Sequence, residues 1–213
     1  MGGKRDQPTS LKKILELDIT ATNKFCSWAN NFTALKTLRN HATGLEISCH
    51  GIPWLCCVLM LMWFSSNPET QHMAINLLLG LILDIVLVAV IKSATRRRRP
   101  AANPNEGSVM MIGPDKFSFP SGHASRVVFL ACFFIHLWPL SIIFYPPLVA
   151  WATAVSISRV LMRRHHLLDV GAGIFLGLTE ALLMSLLWIS ESWAEYIYSK
   201  LSDEAQEGSS FDV

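Results

Sequence analysis

The feature that most constrains the fold is a set of apolar segments long enough to cross a lipid bilayer. Met73–Ile91 is the clearest, with 19 residues and a single charge at Asp84. At 1.5 Å per residue it covers roughly 28 Å as a helix, about the thickness of one hydrocarbon core. Ile47–Phe64 and Leu167–Ile189 predict two more spans. Ser121–Leu161 has about 41 residues, roughly 62 Å as a helix, and predicts two crossings.

Composition agrees with an all-α fold, a polytopic membrane helix bundle of about five transmembrane helices. Hydrophobic residues make up 51% of the chain and charged residues 16%, against roughly 25% charged residues in soluble domains. The net charge of +2 is too small to favour a nucleic-acid partner. The five cysteines have no metal-ligand spacing, so we interpret them as reduced packing residues.

Charge patterning predicts three parts of the chain. Residues 11–39 mix apolar side chains with several bases and are too charged to span, which predicts amphipathic helices in the membrane interface. We therefore expect a polar and amphipathic region at 1–43, a membrane domain at 44–192 and a polar, acidic tail at 193–213. Asp84 and Glu180 lie inside predicted spans, and we expect both to face the interior of the bundle in a structural role.

The number of crossings brings three polar segments to one membrane face. Two crossings between residues 121 and 161 return the chain to the face it left. The loop at 92–120, the residue His123 and the segment 159–169 therefore become neighbours. These segments hold the polar residues that need an explanation.

The first segment, "KSATRRRRP", begins at Lys92 and ends at Pro100. Lys92 and Arg99 are two helical turns apart and would share a helix face, with Pro100 ending the helix. A guanidinium grips phosphate oxygens at two points and lysine adds a point charge, so this pair is suited to an anion. Arg97 and Arg98 are interpreted as basic anchors at the membrane edge.

The second segment, "FPSGHAS", would open a helix just after Pro120. Backbone N–H groups of Ser121 and Gly122 at a helix start can cradle an anion, and His123 in the first turn can reach it. A plain N-cap serine beside an interfacial histidine is the structural alternative. A nucleophilic Ser121 is a further alternative, but no strand–turn–helix elbow is expected here. Arg126, one turn later, could help to bind a second phosphate.

The third segment, "SRVLMRRHHLLD", carries His165 four residues before Asp169, so the two side chains would lie on one helix face. A carboxylate on Nδ1 of an imidazole fixes the tautomer and leaves Nε2 as a nucleophile. Arg159 can point to the same place. His166 could also meet Asp169, and spacing alone does not separate the two histidines. A purely structural His/Asp pair is the alternative.

Together the three segments supply the groups for phosphoryl transfer without a metal. Cationic donors balance the phosphate charge, an imidazole can attack, and a second imidazole can protonate the leaving oxygen. No cofactor is expected.

Three motifs, K-x6-R-P at Lys92–Pro100, P-S-G-H at Pro120–His123 and S-R-x5-H-x3-D at Ser158–Asp169, resemble the signatures of the type 2 phosphatidic acid phosphatase superfamily. "CHGIPW" at 49–54 and "DKFSFPSGHA" at 115–124 look closest to its polyisoprenoid diphosphate phosphatase branch. The resemblance implies a metal-independent phosphohydrolase of presqualene, farnesyl or geranylgeranyl phosphates and diphosphates. A phosphatidate or lysophosphatidate phosphatase is the alternative enzyme, and a catalytically silent membrane scaffold is the alternative without activity.

The resemblance also implies a role for each motif residue. His165 would be the nucleophile that forms a phosphohistidine, Asp169 would orient it, and His123 would protonate the leaving group and then activate water. The remaining motif residues would hold the phosphate: Lys92, Arg99, Ser121, Gly122 and Arg159.

The expected partners are an isoprenoid or other lipid phosphate and membrane lipids, with no protein partner indicated. The branch resemblance implies the endoplasmic reticulum and nuclear envelope. With five spans, the motif face also carries most of the bases, and the positive-inside rule then predicts a cytosolic catalytic face. The bases assigned to that face are Lys4, Arg5, Lys12, Lys13, Lys24, Lys36, Arg39, Arg96, Arg97, Arg98, Arg163 and Arg164.

Overall fold

The fold is an all-α bundle, described by a computed structural model for residues 9–100 and 117–209. Three helices, α1 (Thr9–Ala29), α2 (Thr33–Asn40) and α3 (Ala42–Ser48), precede the long ones. The long helices are α4 (Gly51–Phe64), α5 (Pro68–Thr95), α6 (Gly122–Cys132), α7 (Tyr145–Leu161) and α8 (Leu167–Leu186). A π-helical turn at Phe133–Leu137 extends α6, a 3₁₀ turn at Ile142–Phe144 precedes α7, and α9 (Glu191–Ser209) follows α8.

The predicted class, a polytopic membrane helix bundle, is confirmed. In the part of the chain that the structure describes, four stretches are long and apolar enough to cross a membrane: Ala42–Phe64, Pro68–Thr95, Ile142–Leu161 and Leu167–Leu186. A shorter apolar stretch, Gly122–Leu137, is the remaining segment of the predicted five. Trp138 has no helical backbone after the π turn, so the chain breaks between α6 and α7, within the stretch that was predicted to cross twice.

The C-terminal segment is helical, although its sequence suggested only a polar tail. Helix α9 begins at Glu191 and packs against α5. Residues 1–8, 101–116 and 210–213 lie outside the described residues, and these include the first two residues of the "DKFSFPSGHA" stretch.

Helices α6 and α8 approach each other closely, and small residues on α8 permit this approach. A Cβ added at Gly173 would lie 2.5 Å from the Ser121 carbonyl oxygen, and one at Gly177 would meet the Ser125 carbonyl oxygen. Spacing of two glycines by four residues lets helix backbones pack together in membranes. This packing places the first turns of α6 and α8 side by side.

Buried charges tie α5, α6 and α8 together within the apolar core. Arg126 Nη2 lies 2.7 Å from Asp84 Oδ2, and Ser125 Oγ donates a hydrogen bond of 3.1 Å to Glu180 Oε2. Both acids have fully buried side chains, in agreement with the predicted position inside the bundle. Arg126 also donates to the Cys49 carbonyl oxygen. The structure therefore assigns Arg126 an ion pair in place of the second phosphate considered from the sequence.

Candidate active site

The first two predicted segments meet through a short backbone pairing at the base of the loop that joins them. Arg98 and Phe117 form an isolated antiparallel bridge, and Ser118 N–H donates to the Arg97 carbonyl oxygen at 2.8 Å. Thr95 Oγ1 donates to the Phe119 carbonyl oxygen at 3.0 Å. These contacts close the loop and hold Ser118 in a buried position.

This pairing corrects the predicted helix through Arg99. Helix α5 ends at Thr95, because Arg96 adopts a left-handed conformation with φ 50° and donates its N–H to the Lys92 carbonyl oxygen. The next residues are extended and paired with Phe117 and Ser118, which a helix cannot do while keeping its own hydrogen bonds. Lys92 and Arg99 therefore do not share a helix face, although both charges act on the same histidine.

The second and third segments meet where α6 and α8 begin. Ser121 N–H donates to the Asp169 carbonyl oxygen at 2.9 Å. Ser121 also caps α6, since its Oγ accepts from Ala124 N–H at 3.5 Å. The Ser121 and Ala124 N–H groups are thus engaged. The backbone donors left for the predicted anion cradle are those of Gly122 and His123, which have no partner within the helix.

His165 precedes α8 in a short turn, and its side chain is 4% exposed. Its Nδ1 lies 2.7 Å from the Ser118 carbonyl oxygen and 3.9 Å from Asp169 Oδ2. A carbonyl oxygen only accepts, so Nδ1 carries the hydrogen and Nε2 keeps its lone pair. The tautomer expected of a nucleophile is therefore held by Ser118, which replaces Asp169 in the predicted hydrogen bond.

The charge state of His165 follows from its surroundings. Burial lowers the pKa of His165 well below its usual 6.5, and the positive charges of Arg99 and Lys92 lower the pKa further. The Asp169 carboxylate and the hydrogen bond to Ser118 oppose this shift without reversing it. The imidazole is therefore neutral near pH 7, as attack on phosphorus requires.

Asp169 is fully buried, and its carboxylate joins three groups. Oδ2 accepts from His166 N–H at 2.8 Å and lies 3.3 Å from His166 Nδ1. Oδ1 lies 2.7 Å from Arg97 Nη1. His166 therefore contacts Asp169 at the start of α8, whereas His165 lies near the positive charges of Arg99 and Lys92. These different surroundings distinguish the two histidines, which sequence spacing alone did not.

Arg159, at the end of α7, is 1% exposed. Its Nη1 lies 3.3 Å from Glu46 Oε1, an oxygen that Arg164 Nη1 also approaches at 3.1 Å. Arg159 Nη2 donates to the Met162 sulfur at 3.3 Å. Within the described residues, Arg159 Nε is buried without a hydrogen-bond partner, so one donor of this guanidinium is open to an anion.

His123 lies in the first turn of α6. Its Nε2 is buried and has no hydrogen-bond partner among the described residues. The Cys49 thiol donates to the His123 carbonyl oxygen at 3.4 Å, and the His50 ring lies edge-on with its centroid 6.1 Å away. A buried ring nitrogen without a partner is available to exchange a proton with a bound ligand.

Four residues of this site were not found from the sequence: Ser118, Arg97, Asp18 and Glu46. Ser118 acts through its main chain, which no side-chain pattern reveals. Arg97 was assigned to the membrane edge, but its side chain is only 12% exposed and is paired with Asp18 and Asp169. Nothing in the spacing of Asp18 or Glu46 relates them to the motifs. In the ranges 9–100 and 117–209, no group of three His, Cys, Asp or Glu side chains is placed to hold a metal ion.

An apolar groove of about 510 Å³ lies beside the site, between α6, α7 and α8. Val160 and Val170, the residues that follow Arg159 and Asp169, line one end of it. Cys132 and Val149 line it farther along the bundle. The polar site and the groove are therefore built on the same three helices.

Comparison with known proteins relates this arrangement to a family of phosphatases. The model of the PAP2 superfamily matches residues 73–192. A probable lipid phosphate phosphatase beta of Arabidopsis thaliana is 38% identical over 144 residues, covering 56% of this chain and 67% of that protein. An undecaprenyl-diphosphatase of Sulfolobus acidocaldarius is 30% identical over 152 residues, which is 69% of each chain.

Among solved structures, the crystal structure of Aquifex aeolicus LpxE has a similar fold, with a TM-score of 0.54 and 20% sequence identity. The match covers 76% of this chain and 92% of that chain. At this identity the likeness concerns the fold alone.

Proposed function

This chain belongs to the PAP2 superfamily and is a lipid phosphatase of that type, and we propose that it hydrolyses isoprenoid diphosphates and monophosphates through a phosphohistidine at His165. The observation that carries the proposal is the contact of His165 Nδ1 with the Ser118 carbonyl oxygen at 2.7 Å. It leaves Nε2 as a free nucleophile on a buried and neutral imidazole.

The reaction has two displacements at phosphorus. His165 Nε2 attacks the terminal phosphorus, an N–P bond forms, and the P–O bond to the leaving group breaks. His123 enters this step as the imidazolium, which the negative charge of the bound phosphate favours, and gives its proton to that leaving oxygen. In the second step His123 takes a proton from water as the water oxygen attacks phosphorus. The N–P bond then breaks, inorganic phosphate leaves, and the His165 lone pair is restored.

The cationic residues of the motifs hold the phosphate in this proposal. Lys92, Arg99 and Arg159 neutralise its charge, and the first turn of α6 after Gly122 adds backbone donors. A diphosphate leaves a phosphate monoester after the first cycle. That product has the same chemistry at its phosphorus, so it can enter a second cycle.

The apolar groove supports an isoprenoid substrate, because it provides a place for a long hydrocarbon tail beside the phosphate site. The similarity to an undecaprenyl-diphosphatase favours the same substrate class. Bases on the motif face support a cytosolic active site by the positive-inside rule. The endoplasmic reticulum and nuclear envelope are the proposed location, which fluorescence microscopy of the tagged full chain would test.

The experiment is an assay of the purified full chain in detergent with EDTA, on farnesyl diphosphate and phosphatidic acid in parallel. We expect phosphate release that prefers farnesyl diphosphate, is inhibited by vanadate and is abolished in His165→Ala. His136→Ala, which changes an exposed histidine in the π-helical turn, is the matched control and should retain activity.

A trapping measurement tests the intermediate directly. Farnesyl diphosphate labelled with ³²P at the terminal phosphate should label the wild-type chain after denaturation in alkali, where phosphohistidine survives, and should not label His165→Ala. A preference for phosphatidic acid would mean that the proposed substrate class is wrong. Label retained by His165→Ala would show that His165 is not the nucleophile. Release from neither lipid would favour the scaffold.

A further inference from the structure

Helix α1 lies across the turn that joins α7 to α8 and makes specific polar contacts with it. Thr22 Oγ1 accepts from Leu167 N–H at 3.1 Å, and Asp18 Oδ1 accepts from Leu168 N–H at 3.0 Å. These are the first two backbone N–H groups of α8, which have no partner within that helix. Side chains of α1 therefore cap the helix that carries Asp169.

Arg97 connects α1 to Asp169 directly. Its Nη1 pairs with Asp169 Oδ1 at 2.7 Å, and its Nη2 pairs with Asp18 Oδ2. The side chains of Asp18 and Asp169 are 2% and 0% exposed. A planar guanidinium presents two donors in a fixed geometry, so one arginine holds two carboxylates in a defined relation.

Both oxygens of Asp169 are thereby fixed, Oδ1 by Arg97 and Oδ2 by His166 N–H. The orientation of this carboxylate sets its 3.9 Å distance from His165 Nδ1. Removing Asp18 would leave Arg97 with a buried charge that is only partly compensated, which favours a shift of its guanidinium. Asp169 and the start of α8 would shift with it.

We propose that Asp18 and Arg97 are positioning residues of the active site, and that α1 is a structural part of that site as well as an interfacial helix. The inference rests on the proposed function, because it assigns the pair to the orientation of Asp169 and His165. Asp18 lies outside the three motifs, and Arg97 occupies one of the variable positions of K-x6-R-P. Phosphate binding is left to Lys92, Arg99 and Arg159.

The test compares steady-state kinetics of Asp18→Asn, Arg97→Gln and the double variant with wild type on farnesyl diphosphate. We expect kcat of each single variant to fall on the order of ten- to a hundredfold, since misplacement of a catalytic group by about 1 Å has effects of that size. KM should change little. The double variant should be no slower than Arg97→Gln, because both substitutions break one chain of contacts.

Glu16→Gln is the matched control, because it removes the same charge from an exposed position of the same helix. It should behave as wild type. Arg97→Lys keeps the charge but lacks the two fixed donors of the guanidinium, so its kcat should also fall. This variant provides a second test if Asp18→Asn does not fold. Size-exclusion profiles report on folding.

Wild-type kcat in Asp18→Asn or Arg97→Lys would overturn the inference, as would strictly additive effects or a change confined to KM. A wild-type chain that releases no phosphate would instead overturn the proposed function. Failure of the two ideas is therefore distinguishable within one set of measurements.

Discussion

The Nδ1 atom of His165 lies 2.7 Å from the carbonyl oxygen of Ser118, whereas the nearest oxygen of Asp169 is 3.9 Å away. A main-chain acceptor thus holds the imidazole tautomer, and the carboxylate acts at longer range. Asp169 also caps α8 and pairs with Arg97. In the proposed mechanism, its contribution would then be electrostatic and structural.

Asp169→Asn should therefore reduce kcat less than the same substitution does in an enzyme whose carboxylate alone fixes the histidine tautomer. We expect kcat to fall by roughly ten- to a hundredfold, compared with about 10⁴-fold when the orienting aspartate of a serine protease becomes asparagine. Steady-state kinetics with farnesyl diphosphate provide the measurement. A loss near 10⁴-fold would mean that Asp169 is the main orienting group and that the Ser118 contact is secondary.

His165 should remain neutral in mildly acidic solution. Its pKa is lowered by burial and by Arg99 and Lys92, so protonation occurs only below its ordinary value of 6.5. The ring ¹⁵N signals of labelled protein in micelles, assigned by comparison with His165→Asn, should show the neutral form at pH 6.5. A titration midpoint at or above pH 6.5 would contradict the lowered pKa.

The same shift links stability to pH. The unfolded chain takes up a proton at His165 near pH 6.5, whereas the folded chain does not until a lower pH. The free energy of unfolding contributed by this group is therefore fully present above pH 6.5 and declines as the pH falls below it. Unfolding in mixed micelles should show a smaller decline in His165→Asn.

Gly173→Ala should separate α6 from α8, because the added Cβ would lie 2.5 Å from the Ser121 carbonyl oxygen. We expect a loss of about 1–3 kcal/mol in unfolding free energy, together with reduced kcat. Gly171→Ala is the control on the same helix, where an added Cβ meets nothing within 4 Å. It should be neutral or stabilising by up to about 1 kcal/mol. Equal effects of the two substitutions would reject the packing argument.

Asp84→Asn should strongly destabilise the bundle, since it leaves the buried Arg126 charge without its 2.7 Å partner. Breaking one side of a buried pair costs about 3–5 kcal/mol. Unfolding in mixed micelles measures this cost, and the double variant Asp84→Asn with Arg126→Gln should recover part of it. Val86→Ala, at an exposed position of α5, serves as the control. A double variant less stable than Asp84→Asn would argue against the pair.

Cys132→Trp should fill the apolar groove and interfere with a long hydrocarbon tail. We expect KM for farnesyl diphosphate to rise about tenfold, equivalent to roughly 1.4 kcal/mol of binding. Hydrolysis of phenyl phosphate, which has no tail, should be unchanged. Cys57→Trp places the same side chain on an exposed face of α4 and is the matched control. Equal effects on both substrates would mean that the groove does not bind the hydrocarbon tail.

The apolar spans and the position of the site on one face were predictable, whereas the geometry of individual groups was not. Spans depend on local hydrophobicity and helix rise, so the segments around α4, α5 and α8 and the end of α7 at Leu161 were found close to their observed bounds. The end of α5 was misplaced, because pairing of Arg98 with Phe117 competes with helix formation. Helix α9 was not anticipated, since its packing against α5 is a long-range contact.

The sequence by itself determined which chemical groups this protein brings to one membrane face. Two imidazoles, an aspartate and several bases occur at fixed positions relative to spans of predictable length. Their positions in the sequence are therefore enough to predict that they share one face. Only the tertiary structure decided how those groups are held. Arg97 pairs with residues 79 and 72 positions away, and Ser118 accepts from His165 over 47 positions. Such contacts depend on helix packing distances and on main-chain orientation, which residue type and spacing do not encode.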